Sequence, residues 1–255
     1  MIYIKTPQEI EIMAEGGHIL SLILDEIEKN VKSGATTGEL EDMAINLIKA
    51  RRGTPSFKNY KGRPEDPAFP TALCTSINEE VVHAPAKPSR RLISGDIIGI
   101  DAGMGYKGYF TDMARTIAVG KIGKDADRLM KITKKSLEMG IKQAKAGNYI
   151  DDISRAVQNF VEKNGYSIVR ALVGHGVGKF VHEPPAVPNF SGPNLKRIRL
   201  EEGMTIAIEP MVCQGDYHVD TLDDGWTVVT KDGKLAAHFE HTVAVTKRGG
   251  RILTK

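Results

Sequence analysis

The sequence predicts one α+β domain. Both halves of the chain contain helix-period apolar segments together with strand-like runs, and no hinge-like linker divides them. The length of 255 residues suits one α/β domain or two small ones. A chain near this size buries roughly three quarters of its unfolded surface, so it needs no disulfide or metal merely to fold. Composition is that of a globular protein, 41% hydrophobic and 26% charged, which excludes a collagen-like or wholly disordered chain.

The first helix is expected to start at Thr6-Pro7-Gln8-Glu9. Thr6 caps, Pro7 takes the first helical position and Glu9 closes a capping box. Ile10, Met13, Ala14, Leu20, Ile23 and Ile27 follow near the helical period, and Ser33-Gly34 stops it. Thr36 and Glu39 make a second capping box ahead of a helix that runs towards Gly53. Residues 53–70 hold Pro55, Pro64, Pro67 and Pro70 and read as a long loop. Its aromatics Phe57, Tyr60 and Phe69 either pin it to the core or wall a substrate site. Residues 73–77 and 80–83 read as short strands. Residues 97–101 and 109–119 read as a hairpin with Gly103, Gly105 and Gly108 in its turn. Two more helices are expected over 125–146 and 151–164, stopped by Gly147 and Gly165. Strands follow at 166–170, 204–209, 226–230 and 235–246, with Asp232-Gly233 as a hairpin turn between the last two.

Only two cysteines occur, Cys74 and Cys213, with no Cys-x-x-Cys pair, which fits a reducing cytoplasm. The 35 basic and 32 acidic residues leave a net charge of +3, too small an excess for a dedicated nucleic-acid site. No apolar run approaches the ~18 residues of a membrane span. Glu9, Glu11 and Glu15 interrupt what would be the apolar core of a secretory signal.

Chemistry concentrates in strand carboxylates. A turn centred between Tyr106 and Lys107 sets Asp101 opposite Asp112 on one face, with Cβ atoms ~5 Å apart. Two bare carboxylates there repel by about 3 kcal/mol at an effective dielectric of ~20. Either a cation lies between them, or a bulge separates them, or Arg115 neutralises one. Glu209 ends an apolar run, and alternation puts His238, Glu240 and Thr242 on one face of the last strand. A lone carboxylate in a buried strand is costly unless paired or metal-bound. Gly174-His175-Gly176-Val177-Gly178 reads as a glycine-studded loop, followed by His182-Glu183-Pro184. The glycines disfavour a helical His-x-x-x-His zinc site, and the Lys-Ser/Thr ending of a P-loop is missing. Asp101, Asp112, Glu209 and Glu240 together carry a charge that two divalent cations would balance. Oxygen-rich ligation with one imidazole suits Mn, Fe or Co better than a thiolate-bound structural zinc.

These residues carry a resemblance to a known family. Asp101, the run Tyr109-Phe110-Thr111-Asp112-Met113-Ala114-Arg115-Thr116, the Gly174–Gly178 segment, His182-Glu183-Pro184, Glu209-Pro210 and Glu240-His241-Thr242 resemble type I methionine aminopeptidases. The resemblance covers nearly the whole chain. It implies a pita-bread fold, a pseudo-two-fold pair of helix-and-antiparallel-strand halves around a central site. Residues 1–255 would form a single catalytic domain. Two divalent metals (Co, Mn or Fe, with zinc also admissible) would be held by Asp101, Asp112, His175, Glu209 and Glu240. Asp101 would bind one metal, His175 and Glu209 the other, with Asp112 and Glu240 bridging. His83 would lie near the scissile nitrogen and His182 at the substrate carbonyl, with Glu209 also a proton shuttle. Cys74, Tyr60 and Trp226 would stand by the methionine pocket. The implied activity removes an N-terminal methionine when the second residue is small. The implied partners are nascent polypeptide N-termini, with a transient ribosome contact, and the expected state is a cytoplasmic monomer.

Three positions depart from the family pattern. Val181 stands where an aromatic is frequent, Phe57 where bacterial members often have cysteine, and residues 63–71 look longer than usual. They bear on the pocket's shape rather than on the metal site. Two rival readings are a proline-specific aminopeptidase of the same fold and a catalytically silent pita-bread binding module. Proline-specific members carry a sizeable N-terminal domain, whereas only about a hundred residues precede Asp101 here. The silent module is marked by missing ligands, and all five are present.

Overall fold

A computed structural model describes residues 1–193 and 195–255. Helix α1 (Pro7–Asn30) starts with the expected capping box: the Thr6 hydroxyl accepts from Glu9 N, and the Glu9 carboxylate accepts from Thr6 N. Helix α2 (Thr37–Ala50) repeats the device with Thr36 and Glu39. Both helices bury apolar faces against the hairpin β4 (Ile97–Tyr106) and β5 (Tyr109–Ala118), sharing a core that includes Leu20, Leu24, Leu40, Ile98, Ile100 and Met113. In the second half, α3 (Lys124–Gln143) and α4 (Ile150–Lys163) pack on the apolar face of later strands through Leu137, Ile141, Ile153, Ile206, Ile208 and Val243. Each half thus sets two helices against antiparallel strands.

The remaining strands are β1 (Thr54–Pro55), β2 (Leu73–Ile77), β3 (Glu80–Val82), β6 (Ser167–Ile168), β7 (Gly174–Gly176), β8 (Glu183–Val187), β9 (Thr205–Ile208), β10 (Met211–Cys213), β11 (Val219–Thr221), β12 (Val228–Thr230), β13 (Ala236–His238), β14 (Glu240–Thr246) and β15 (Gly249–Ile252). The main sheet runs β1-β4-β5-β14-β9-β7-β8, with β2 beside β4 and β15 beside β14. The two halves join where β5 pairs with β14. Two small sheets, β13-β10-β6 and β11-β12-β3, flank it.

Four local expectations need correction. The hairpin turn is Lys107-Gly108, both with positive φ (47° and 84°), as a two-residue primed turn requires. Gly103 and Gly105 therefore lie in β4, and Asp101 faces Ala114 while Asp112 faces Gly103. The last strand is two, broken at Phe239, because β13 pairs with β10 while β14 joins the main sheet. Asp232-Gly233 is a turn, but the strands it joins, β12 and β13, belong to different sheets. His175 lies on strand β7 rather than in a loop. Its neighbour Gly176 is needed for close packing, since a Cβ there would stand 2.7 Å from Glu183 O.

Candidate active site

Sheet register assembles the site. Cys74 pairs with Asp101, Asp101 with Ala114, and Ala114 with Glu240. Continuing the β14–β9 register, in which Thr242 faces Ala207, sets Glu209 beside Glu240. The adjoining row runs Gly103, Asp112, Thr242, Ala207, and then His175 by extension of the Gly176–Ile206 pair. Alternation along each strand puts all five chemically active side chains on the face turned away from the helices. Each comes from a different strand: β4, β5, β14, the end of β9, and β7. Gly103, Ala114 and Ala207 between them keep the rows open.

The hairpin correction makes Asp101 and Asp112 diagonal neighbours, a spacing still within reach of their side chains. Arg115 does not neutralise either one. It points to the helix side and pairs with Asp25 and Glu28. Among the described residues no Lys or Arg pairs with Glu209 or Glu240; Glu209 instead faces His175 Nε2 at 3.5 Å from Oε1 and His238 Nε2 at 3.6 Å from Oε2.

All ten side chains singled out from the sequence line one cavity of about 440 Å³: Asp101, Asp112, His175, Glu209, Glu240, His83, His182, Cys74, Tyr60 and Trp226. The loop over 53–70 supplies one wall and is also pinned to β4, since Ser56 N donates to Gly103 O. Phe57, Phe69, Cys74 and Val181 form a buried apolar cluster there, with Tyr60, Phe110 and Trp226 packed against it. The ring of Phe69 meets Trp226 edge-on at 5.2 Å. Val181 thus packs behind the wall without lining the cavity, and Phe110 from β5 joins it there. His182 stands between His175 and Tyr60, with ring centroids 4.2 Å and 4.8 Å away. His83 follows β3 with φ 61°, in the left-handed region that few non-glycine residues occupy. Pairing of β3 with β12 brings its segment beside the strand that follows Trp226.

Electrostatics identify the missing counter-charge. Burial and then mutual repulsion push the carboxyls of Asp101, Glu209 and Glu240 well above the usual range. Burial lifts Asp112 to about 7. Burial also drives the histidines down, His83 and His175 to about 4 and His182 to about 3, so they are neutral near pH 7. Asp101 Oδ1 and Glu240 Oε1 are buried and find no hydrogen-bond partner among the described residues. Ligand atoms of Asp112, His175 and Glu240 lie within 4.8 Å of one another. His175 Nδ1 is 2.9 Å from Gly176 O, an acceptor only, so Nδ1 carries the hydrogen and Nε2 presents a lone pair to the carboxylates. Lone pairs converging on one point with unpartnered buried oxygens suit a divalent cation.

Several supporting groups escape sequence reasoning. Glu183 Oε2 accepts from Lys179 N and Phe180 N, at 3.0 Å and 3.3 Å, shaping the turn before His182. Its charge is met by buried Lys5, more than 170 residues away in sequence, whose ammonium burial lowers to about 8. Thr242 clasps the main chain of Asp112 across the β5–β14 junction, and Thr116 that of His238 at the end of β13. Both threonines stand in the motif runs, but nothing in the sequence gives them this role.

Residues 11–247 match metallopeptidase family M24. A methionine aminopeptidase of Clostridium acetobutylicum is 47% identical over 254 residues, covering 100% of this chain and 99% of that protein. Methionine aminopeptidase 1 of Bacillus subtilis is 47% identical over 255 residues, covering 100% of both. The crystal structure of methionine aminopeptidase from Thermotoga maritima superposes with a TM-score of 0.94 at 41% identity, covering 100% of both chains. That agreement makes the helix-backed antiparallel sheet described above the pita-bread fold. The chain belongs to metallopeptidase family M24 and, within it, to the methionine aminopeptidases.

Proposed function

We propose that residues 1–255 act as one catalytic domain that hydrolyses the bond after an N-terminal methionine when the next residue is small. The coarse activity, a metal-dependent hydrolase removing N-terminal methionine, follows from the family. The observation that carries the finer reading is the convergence of Asp101, Asp112, His175, Glu209 and Glu240 on one sheet face, with buried oxygens left unpartnered. Ionised, the four carboxylates match the charge of two divalent cations; Mn, Fe or Co suits the oxygen-rich donor set, with zinc admissible.

Asp101 would help hold one metal and His175 with Glu209 the other, while Asp112 and Glu240 would serve both. Metal bound there supplies a Lewis acid for the scissile carbonyl and lowers the pKa of a water. The protein's own groups do the rest. His182, neutral and beside Tyr60, offers an N–H to the substrate carbonyl oxygen. His83 stands at the scissile nitrogen. Glu209 takes the proton of the attacking water and passes it to the leaving amine. The apolar wall of Phe57, Tyr60, Cys74 and Trp226 receives the methionine side chain, whose unbranched shape fills such a slot. Crowding at His83 limits the second residue, because a misplacement of ~1 Å at the reacting centre can cost ~10²-fold. Two free, buried cysteines support action in a reducing cytoplasm. We take the working form as a monomer meeting nascent N-termini through a transient ribosome contact.

The test compares kcat/KM for Met-Ala-Ser, Met-Lys-Ser, Leu-Ala-Ser and Ala-Pro-Ala peptides with metal loaded. Met-Ala-Ser should be fastest by at least about tenfold, the discrimination a hydrophobic pocket gives per methylene or two. Fastest cleavage of Ala-Pro-Ala would move the chain to proline-specific chemistry. Cleavage of none with metal bound would leave a binding module.

A further inference from the structure

His238 belongs to no ligand set and does not line the cavity, yet it is 3% exposed and lies against the site. It ends β13, opposite Met211, two residues beyond Glu209. Its Nε2 is 3.6 Å from Glu209 Oε2 and has no hydrogen-bond partner among the described residues. Its main chain is held fast: the amide donates to Thr116 Oγ1 at 2.9 Å, and that hydroxyl donates to its carbonyl at 2.8 Å. The other oxygen of the same carboxylate faces His175 Nε2 at 3.5 Å.

Glu209 is therefore held between two imidazoles, one at each oxygen. They are not equivalent. The Gly176 carbonyl fixes the hydrogen of His175 on Nδ1, so its Nε2 offers Glu209 Oε1 no proton. A bare Nε2 on His238 as well would leave both carboxylate oxygens facing lone pairs. A buried nitrogen left unsatisfied carries its full desolvation penalty. Placing the hydrogen on His238 Nε2 satisfies both groups at once.

We propose that His238 is a positioning residue for Glu209. Its Nε2–H donates to Oε2, fixes the carboxylate's rotation and keeps Oε1 on the His175 side, where the metal is assigned. The present separation exceeds an N–H···O bond by a margin that a small rotation of Glu209 closes, as polar contacts in unliganded sites often tighten on loading. The Thr116 clasp keeps the main chain of His238 from following. This inference rests on the reading of Glu209 as a metal ligand.

Three measurements test it. Calorimetric titration of Mn²⁺ into the chelated protein compares wild type, His238→Leu and His238→Gln. Leucine removes the donor and should weaken Mn²⁺ binding about 10–100-fold, the usual cost of losing a partner behind a ligand. Glutamine keeps an N–H and should stay within about threefold of wild type on the same scale. With Met-Ala-Ser, kcat of the leucine variant should fall while KM holds, since His238 does not touch the peptide. Long-range ¹⁵N–¹H correlation on the Zn²⁺-loaded wild type should show His238 protonated at Nε2, the glutamine variant identifying its signal among the seven histidines. That spectrum needs no stability from the leucine variant. Mn²⁺ binding and kcat unchanged in His238→Leu, or a bare Nε2 in the spectrum, overturns the role of His238 alone. No Mn²⁺ binding by the wild type overturns the ligand reading of Glu209, and the role of His238 with it.

Discussion

Thr242 stands across the β5–β14 junction from Asp112 and holds both of its main-chain groups. Its hydroxyl accepts from Asp112 N at 2.8 Å and donates to Asp112 O at 2.9 Å. All of these groups are buried. Asp112 is thereby fixed where the two halves of the fold meet, with its own Oδ1 accepting from Met113 N at 3.0 Å. Thr242→Val fills nearly the same space without the hydroxyl. It should destabilise the protein by about 1–3 kcal/mol for each main-chain group left unpaired. Urea denaturation of the chelated protein checks this, with an unchanged midpoint arguing against the clasp.

Removal of a shared ligand should abolish metal binding and activity together. Asp112→Ala is expected to show this in calorimetry with Mn²⁺ and in peptide hydrolysis. Chelation of the wild type should likewise end activity, and Mn, Fe or Co should restore it. Full activity in chelator would contradict the metal reading.

A substrate-facing histidine should separate the two properties. His182→Ala is expected to keep metal stoichiometry while kcat falls ~10²–10³-fold, as for a lost transition-state donor. Metal content falling in step with activity would instead make His182 a ligand.

Proton linkage gives a pH signature. In the unfolded chain, Asp112 ionises near 3.8, and burial raises it to about 7 in the metal-free fold, with Asp101, Glu209 and Glu240 also raised. A raised carboxyl favours the fold while protonated, so its contribution is full below the unfolded value and is lost as pH climbs through the folded one. Metal replaces those protons. The gap in Tm between Mn²⁺-loaded and chelated protein should therefore widen from about pH 5 to about pH 7.5, and apparent metal affinity should rise over the same span. A gap independent of pH would mean that the carboxyls are not the groups that bind metal.

By itself the sequence determined whatever is decided within a turn or two of chain. The Thr6–Glu9 and Thr36–Glu39 capping boxes are three-residue relationships, and both helices start where they say. Gly165, at φ 83°, follows the end of α4 as expected. Alternation correctly put Asp101 and Asp112 on a common face, because side-chain direction in a strand depends only on parity. The family motif named ten residues, and all of them line one cavity.

Tertiary structure decided register, strand order and partners far apart in sequence. A turn shifted by one residue, to Lys107-Gly108, moved Asp112 from Asp101 to Gly103. Gly108 takes the positive φ of a primed turn more readily than the non-glycine pair Tyr106-Lys107 could, and burial of the helix-facing side then holds the register. Phe239 ends one strand and admits another because β10 and β5 compete for the same stretch of chain. Lys5, just ahead of α1, reaches Glu183 from beside the Ile4–Met204 bridge, and His238 reaches Glu209 through the pairing of β13 with β10. Cross-strand neighbours carry no fixed sequence spacing, so burial of the helix-facing surface, common to every strand, is what brought five separated candidate ligands into two adjoining rows.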